Sequence, residues 1–306
     1  MSIIFVCHTP SHGSTQFRAG QLVQEINKLY PGLASILSGQ EKAQIHTVSN
    51  ALIIPVLTIG DGLWEYFSTG ELERIRKNSN FVCADILDSF TWPDYNPLLE
   101  KKHLELFGML NGMIVYSEAV GSILRSQFHN LNFYVVPHQW DSQYHFISDF
   151  KRGSSPNLRA LYSGTPDGFQ LNPGELSRYV DFIFDTKEKT KQLQYRYHVS
   201  YRRVDTLQFL FKPAAKLATA AGVKGLLFSS EDLSVKEILG NSWPLYFSCK
   251  DEFVEKYEHL RRNPDTELAL LGYVESLIRE KLSPSSIAKH FVKIYFDKVP
   301  KCVELL

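Results

Sequence analysis

The chain has 306 residues, enough for two domains of roughly 150 each, and 44% hydrophobic with 22% charged residues is an ordinary globular composition. Lys+Arg and Asp+Glu balance at 33 each, so no global field marks a nucleic-acid or anionic-membrane binder, although a local basic site is still allowed. The scattered cysteines (Cys7, Cys83, Cys249, Cys302) show no CxxC or metal-ligand spacing, which argues against a disulfide framework and fits a reducing cytosol.

The apolar start, Met1 to Cys7, is too short for a signal region or a membrane span. The expectation is a soluble, cytoplasmic protein, with contact at the inner face of a membrane left open. Ile3 to Cys7 reads as a buried strand, followed by the loop His8 to Thr15 and a helix from Gln16 that stops before Pro31. Ala51 to Ile59 is the next strand, leading to a Gly60–Gly62 turn and a helix around 71–77. Phe81 to Leu87 is a strand, Leu98 to Leu110 a helix, Met113 to Tyr116 a strand, Glu118 to Phe128 a helix, and Phe133 to Val136 a strand closed by Pro137.

Arg152 to Pro156 reads as a linker, giving domains 1–150 and 151–306. The second alternation predicts strands at Arg159 to Ser163, Tyr179 to Phe184, near Leu207 to Phe211, and Leu226 to Ser229. The tail from Asp251 is helical, with breaks near Pro264 and Pro284. Strand alternating with helix predicts an α/β chain with parallel sheets: two Rossmann-like domains facing across a cleft, with a helical C-terminal tail. In such open sheets ligands bind beyond the carboxyl ends of the strands, so the residues just after each strand carry the functional candidates.

Lys212-Pro213-Ala214-Ala215-Lys216 opens a helix, and its lysines, four apart, share one face. Cations there oppose the helix dipole, which makes sense if a diphosphate docks on them; on pattern alone the competing reading is a solvated lysine pair. Arg202 and Arg203 offer forked donors to phosphate, or are two surface arginines. Ser229-Ser230-Glu231 ends a strand, with Glu237 on the following helix as a hydroxyl-binding carboxylate or an ordinary exposed one. The loop after the first strand, with His12 and Gly13 before Arg18, is neither GxGxxG nor a Walker loop. Asp61, Asp85 and Asp88 lie at strand ends, where a general base or hydroxyl clamp sits, and His8, His12 and His138 are loop-placed proton carriers or ordinary loop residues. The aromatics of 90–95 and 140–146 read as packing residues or as an acceptor platform or lipid-facing edge.

Several stretches resemble bacterial glycosyltransferases of the GT-B fold, compact members related to family 4: PSHGSTQFRAGQL, VCADILDSF, IVYSEAVGSILRSQF leading to FYVVPHQWD, LYSGTPDG, and HVSYR followed by FKPAAKLATAAGVKGLLFSS. The resemblance covers most of the chain at low density. It implies a hexosyltransferase moving sugar from a nucleotide-diphosphate sugar, of UDP or GDP type, to a glycan or glycolipid acceptor in bacterial surface polysaccharide assembly. It implies no cofactor and no obligatory metal, with donor binding by the second domain and acceptor binding by the first; the balanced charge argues against a nucleic-acid partner. Carried over, Ser163 and Gly164 approach the diphosphate, Arg202, Lys212 and Lys216 neutralise it, and Glu237 holds the ribose. Asp88, Asp61 and His12 are the catalytic candidates, with Gly13 and Arg18 on the acceptor side. The two-Glu E-x7-E motif of retaining members is not evident, so stereochemistry stays open. The alternatives are a nucleotide-sugar epimerase-like enzyme and a degenerate, non-catalytic partner subunit.

Overall fold

The structure is a computed structural model that describes residues 2–8, 15–57, 66–86, 105–126, 128–141, 157–164, 169–183, 194–202 and 213–299. Its chain divides into two compact units: Met1–His138 with Phe211–Pro213 and Pro284–Leu306, and Gln139–Leu210 with Ala214–Ser283.

The first unit holds β1 (Ser2–Cys7), β2 (Ala34–Ser38), β3 (Ala51–Leu57), β4 (Phe81–Ile86), β5 (Gly112–Val115) and β6 (Asn132–Val135). They form one sheet in the order β2-β1-β3-β4-β5-β6, every pairing parallel. The strand sequences explain this: β3 is apolar throughout and buried at all seven positions, as a strand covered on both faces must be. The covering helices include α1 (Gln21–Leu29), α2 (Thr69–Lys77), α3 (Glu118–Arg125) and, from the far end of the chain, α8 (Pro284–Lys298). Buried Ile287, Ala288, Phe291, Val292, Ile294 and Tyr295 give α8 a helical-period apolar face against this unit, with Phe291 5.4 Å from Phe5.

The second unit holds β7 (Asn157–Ser163), β8 (Val180–Ile183), β9 (Tyr195–Ser200) and β10 (Leu226–Ser229), parallel in the order β10-β9-β7-β8. Its helices include α4 (Ala215–Gly222), α5 (Leu233–Leu239), α6 (Lys250–Arg262) and α7 (Pro264–Leu282). Both sheets wind the same way. The second strand lies on one side of the first, the third and fourth on the other, so each sheet reverses direction beside its first strand.

The α/β expectation with parallel sheets is met, and most strands fall where the apolar runs place them. The strand expected near 207–211 lies outside the described residues. β2 and β9 were not anticipated. ASILS is too short and too polar to stand out, and YRYHVS looks like a polar loop. It is a strand because Tyr195, Tyr197, His198, Val199 and Ser200 are all buried. Trp140 is 5% exposed in the core of the second unit and is packing rather than platform.

One charge organises the first unit. Arg18, 1% exposed, donates from Nε to Asp85 Oδ2 (2.8 Å), and from its two Nη atoms to the carbonyls of Pro137 (2.8 Å) and Val136 (3.0 Å). Its guanidinium lies 5.2 Å from the Phe291 ring centroid. Burial raises the Asp85 carboxyl's pKa, and the Arg18 charge and hydrogen bonds pull it back. Arg18 therefore ties β4, the stretch after β6 and α8 together. A guanidinium enclosed in this way presents nothing to an acceptor, so the acceptor-side role gives way to a structural one. Asp85, equally buried, is likewise spent on the ion pair.

Removing one partner strands a buried charge. Asp85→Ala should therefore cost about 3–5 kcal/mol in urea denaturation, whereas Arg18→Met with Asp85→Leu should cost clearly less than either single change. Additive single-variant losses would contradict a coupled pair.

Candidate functional site

The second sheet reverses direction between β7 and β9, which makes the carboxyl ends of those strands the expected ligand position. β7 ends in Ser163 and Gly164. Gly164 has φ +149°, and a Cβ there would stand 2.7 Å from Lys216 Nζ and 3.2 Å from the Tyr162 hydroxyl. The positive φ favours glycine here, and a side chain would push the lysine end aside.

Lys216 lies in the first turn of α4. Its ammonium donates to the Ser163 carbonyl and sits 4.2 Å from the centroid of the Tyr162 ring. Among the described residues no carboxylate pairs with it. Burial, and secondarily the charge of Arg202, lower its pKa to about 7. Arg202, just beyond β9, is fixed twice: its backbone N–H donates to Ser230 Oγ (2.9 Å), and its Nη1 pairs with Asp232 Oδ2 (2.9 Å). Asp232 also caps α5 through Ser234, so the arginine is held to a helix start and not on a free loop.

A cavity of about 610 Å³ opens beside Arg202, beyond the ends of β9 and β10. That volume suits a small organic ligand. Its aromatic walls are held by bonds to backbone carbonyls: the Tyr201 hydroxyl donates to Ser248 O (2.6 Å), Trp243 Nε1 to Leu227 O (2.9 Å) and the Tyr246 hydroxyl to Gly240 O (3.0 Å). Its polar lining includes Ser230, Glu231, Asn241 and Glu252. Lys256 donates to Glu252 Oε1 (2.5 Å), and that bond, with those from Ser248, holds the Glu252 carboxyl below the usual range. The site thus combines cations at one end with a rigid, half-aromatic chamber at the other.

Solved structures share this fold along the whole chain. HepE of Anabaena, in complex with UDP, matches with a TM-score of 0.63 at 9% identity, covering 97% of this chain and 100% of that one. AviGT4, a glycosyltransferase involved in avilamycin A biosynthesis, gives 0.60 at 11% identity, with 98% of each chain covered. A DNA-modifying β-glucosyltransferase gives 0.57 at 10% identity, over 97% and 100%. The chain has the fold of these glycosyltransferases. No family model matches it, and no curated protein matches it in sequence.

Of the residues expected at the donor site, the structure brings Ser163, Gly164, Lys216 and Arg202 to one sheet edge. Glu237 is exposed on α5 and does not line the cavity, whereas Glu231 does. Asp61, Asp88, His12, Gly13, Lys212 and Arg203 fall outside the described residues. His138 stacks on Phe17 with ring centroids 4.7 Å apart, and the backbone N–H of His8 donates to the Tyr66 hydroxyl (3.0 Å). No group of three His, Cys, Asp or Glu among the described residues is placed to hold a metal. The sequence reading missed the aromatic chamber, because Trp243 and Tyr246 come from a turn-rich stretch with no periodicity to mark it.

His198 of β9 is 2% exposed, its Nε2 has no hydrogen-bond partner among the described residues, and burial lowers its pKa from 6.5 to about 4. A depressed pKa means stability is present above pH 6.5 and is lost as pH falls toward 4. His198→Gln should flatten that acid loss of up to about 3 kcal/mol, read from denaturant midpoints across the window. Separately, Gly164→Ala should displace Lys216 and cost about 1–3 kcal/mol; an unchanged melting temperature would show the strand end is not constrained as described.

Proposed function

We propose that the chain is a glycosyltransferase that moves a sugar from a nucleoside-diphosphate donor of UDP or GDP type to a glycan or glycolipid. The observation that carries this is the meeting of Lys216 and Arg202 at the reversal point of a parallel sheet, next to a chamber sized for a nucleoside. The diphosphate lies against Gly164, where the missing side chain lets backbone and ammonium approach together. Lys212, outside the described residues, is the third cation of this reading.

The nucleoside occupies the aromatic chamber. Its base packs on the Tyr201 and Phe247 side, rings already 5.3 Å apart, and its ribose hydroxyls meet Glu231, which takes the role first given to Glu237. As the bond from the anomeric carbon to the diphosphate oxygen breaks, negative charge grows on the leaving group. Lys216 leaves the Ser163 carbonyl for that charge, and Arg202 is already keyed by Asp232 to receive it. Side-chain cations do this work, so the reading calls for no obligatory metal. The proton on the acceptor hydroxyl is left to the first unit, to Asp88, Asp61 or His12, with Gly13 on the acceptor side. Surface polysaccharide assembly is the proposed setting; duplex DNA, given the DNA-modifying neighbour, is the competing acceptor to assay.

A thermal-shift screen of UDP, GDP, CMP and dTDP series should show one selective series. Stabilisation should be on the order of 2–3 kcal/mol at a hundredfold excess over Kd. Lys216→Ala or Arg202→Ala should weaken that binding about tenfold to a hundredfold. Because the free ammonium titrates at about 7 and the bound one is held charged, affinity for the nucleotide sugar should fall as pH rises above that value, by up to about tenfold per unit. A folded protein that binds no series sinks the donor reading.

A further inference from the structure

We infer that the edge of the first unit formed by the end of α1 and the outer stripe of α8 docks on an anionic lipid bilayer. Large apolar side chains are left in water here: Leu29 is 37% exposed, Tyr30 45% and Phe296 41%. Tyr30 and Phe296 form an edge-to-face pair with centroids 5.8 Å apart, so the two helices present one apolar knob. Lys289, Lys293 and Phe296 follow at spacings of four and three, placing two exposed lysines on the stripe that carries the knob. Lys28, 69% exposed, flanks it from α1.

Glu25 neutralises Lys28 through their ion pair (2.6 Å). On α8 the exposed Lys289, Lys293 and Lys298 outnumber the exposed Asp297, so the patch keeps a net positive charge. The surface is therefore an aromatic and aliphatic tip flanked by the ammonium groups of α8. That is the chemistry of the boundary between headgroups and acyl chains, where amphipathic rings settle and lysines meet anionic lipid. A second copy of the chain is a poor occupant, because three half-exposed apolar side chains fall far short of the roughly 20–30 residues a side of a stable interface. No described helix is long and apolar enough to cross a membrane, so contact would be at the surface. This inference does not rest on the donor reading.

The test is co-sedimentation of the full chain with phosphatidylcholine vesicles, with and without phosphatidylglycerol, at low and high salt. Expected are binding that requires phosphatidylglycerol and weakens with salt, and a loss of roughly tenfold or more for Lys289→Glu with Lys293→Glu. Tyr30→Ser with Phe296→Ser should weaken binding even at low salt, with melting temperature and nucleotide stabilisation unchanged in both variants. Absence of wild-type binding to phosphatidylglycerol vesicles would overturn the inference, as would binding insensitive to both variants. So would a concentration-dependent dimer, or duplex DNA binding in place of lipid, abolished by the lysine reversals.

Discussion

Lys216 sits where burial and a neighbouring cation both act against its charge. Among the described residues, the ammonium is held by a backbone carbonyl and the face of Tyr162. A protein does not keep a strained cation at a sheet edge for stability, since an apolar side chain of similar length would pack there without desolvating a charge. The proposed diphosphate would offset that desolvation. Around it the second unit is arranged to keep that edge open: glycine at the end of β7, an arginine fixed by Asp232 at the end of β9, and serines closing β9 and β10.

The winding of the two sheets makes this arrangement available. With every strand parallel, all carboxyl ends emerge on one edge of each sheet, and the order of strands leaves a gap beside the first strand of each. In the second unit the gap meets Lys216, Arg202 and a chamber. In the first, the described residues are tied together from within. The Tyr66 hydroxyl accepts from the backbone of His8 after β1 and donates to Val56 O in β3, while Arg18 and Asp85 bind α8 to the strands. The same topology recurs in both units with different side chains at the described strand ends.

The sequence made the repeating strands and helices legible because parallel strands are apolar on both faces, and runs such as ALIIPVL have no other explanation. It also pointed to Ser163, Gly164, Arg202 and Lys216, since each follows a strand or opens a helix. It failed where identity and environment disagree. YRYHVS carries a histidine and an arginine, yet is buried in a strand, because neighbouring strands and α7 cover it and Glu267 answers Arg196 (3.1 Å). Arg18, at the start of the predicted helix after the first loop, reads as an acceptor-side cation; only the fold shows it enclosed by a partner 67 residues away. Glu231 and Glu237 look equivalent on paper, and both are exposed, but a difference of six positions around the start of α5 puts only the first on the cavity lining.

The central claim, a lysine kept near neutrality until a diphosphate arrives, is most directly tested by following the Lys216 side-chain nitrogen by NMR across pH, alone and with UDP and then GDP. The account predicts a midpoint of about 7 for the free protein and a rise of at least about one unit with the nucleotide that binds. A midpoint near the ordinary lysine value of about 10.4, or one that no nucleoside diphosphate moves, would contradict it.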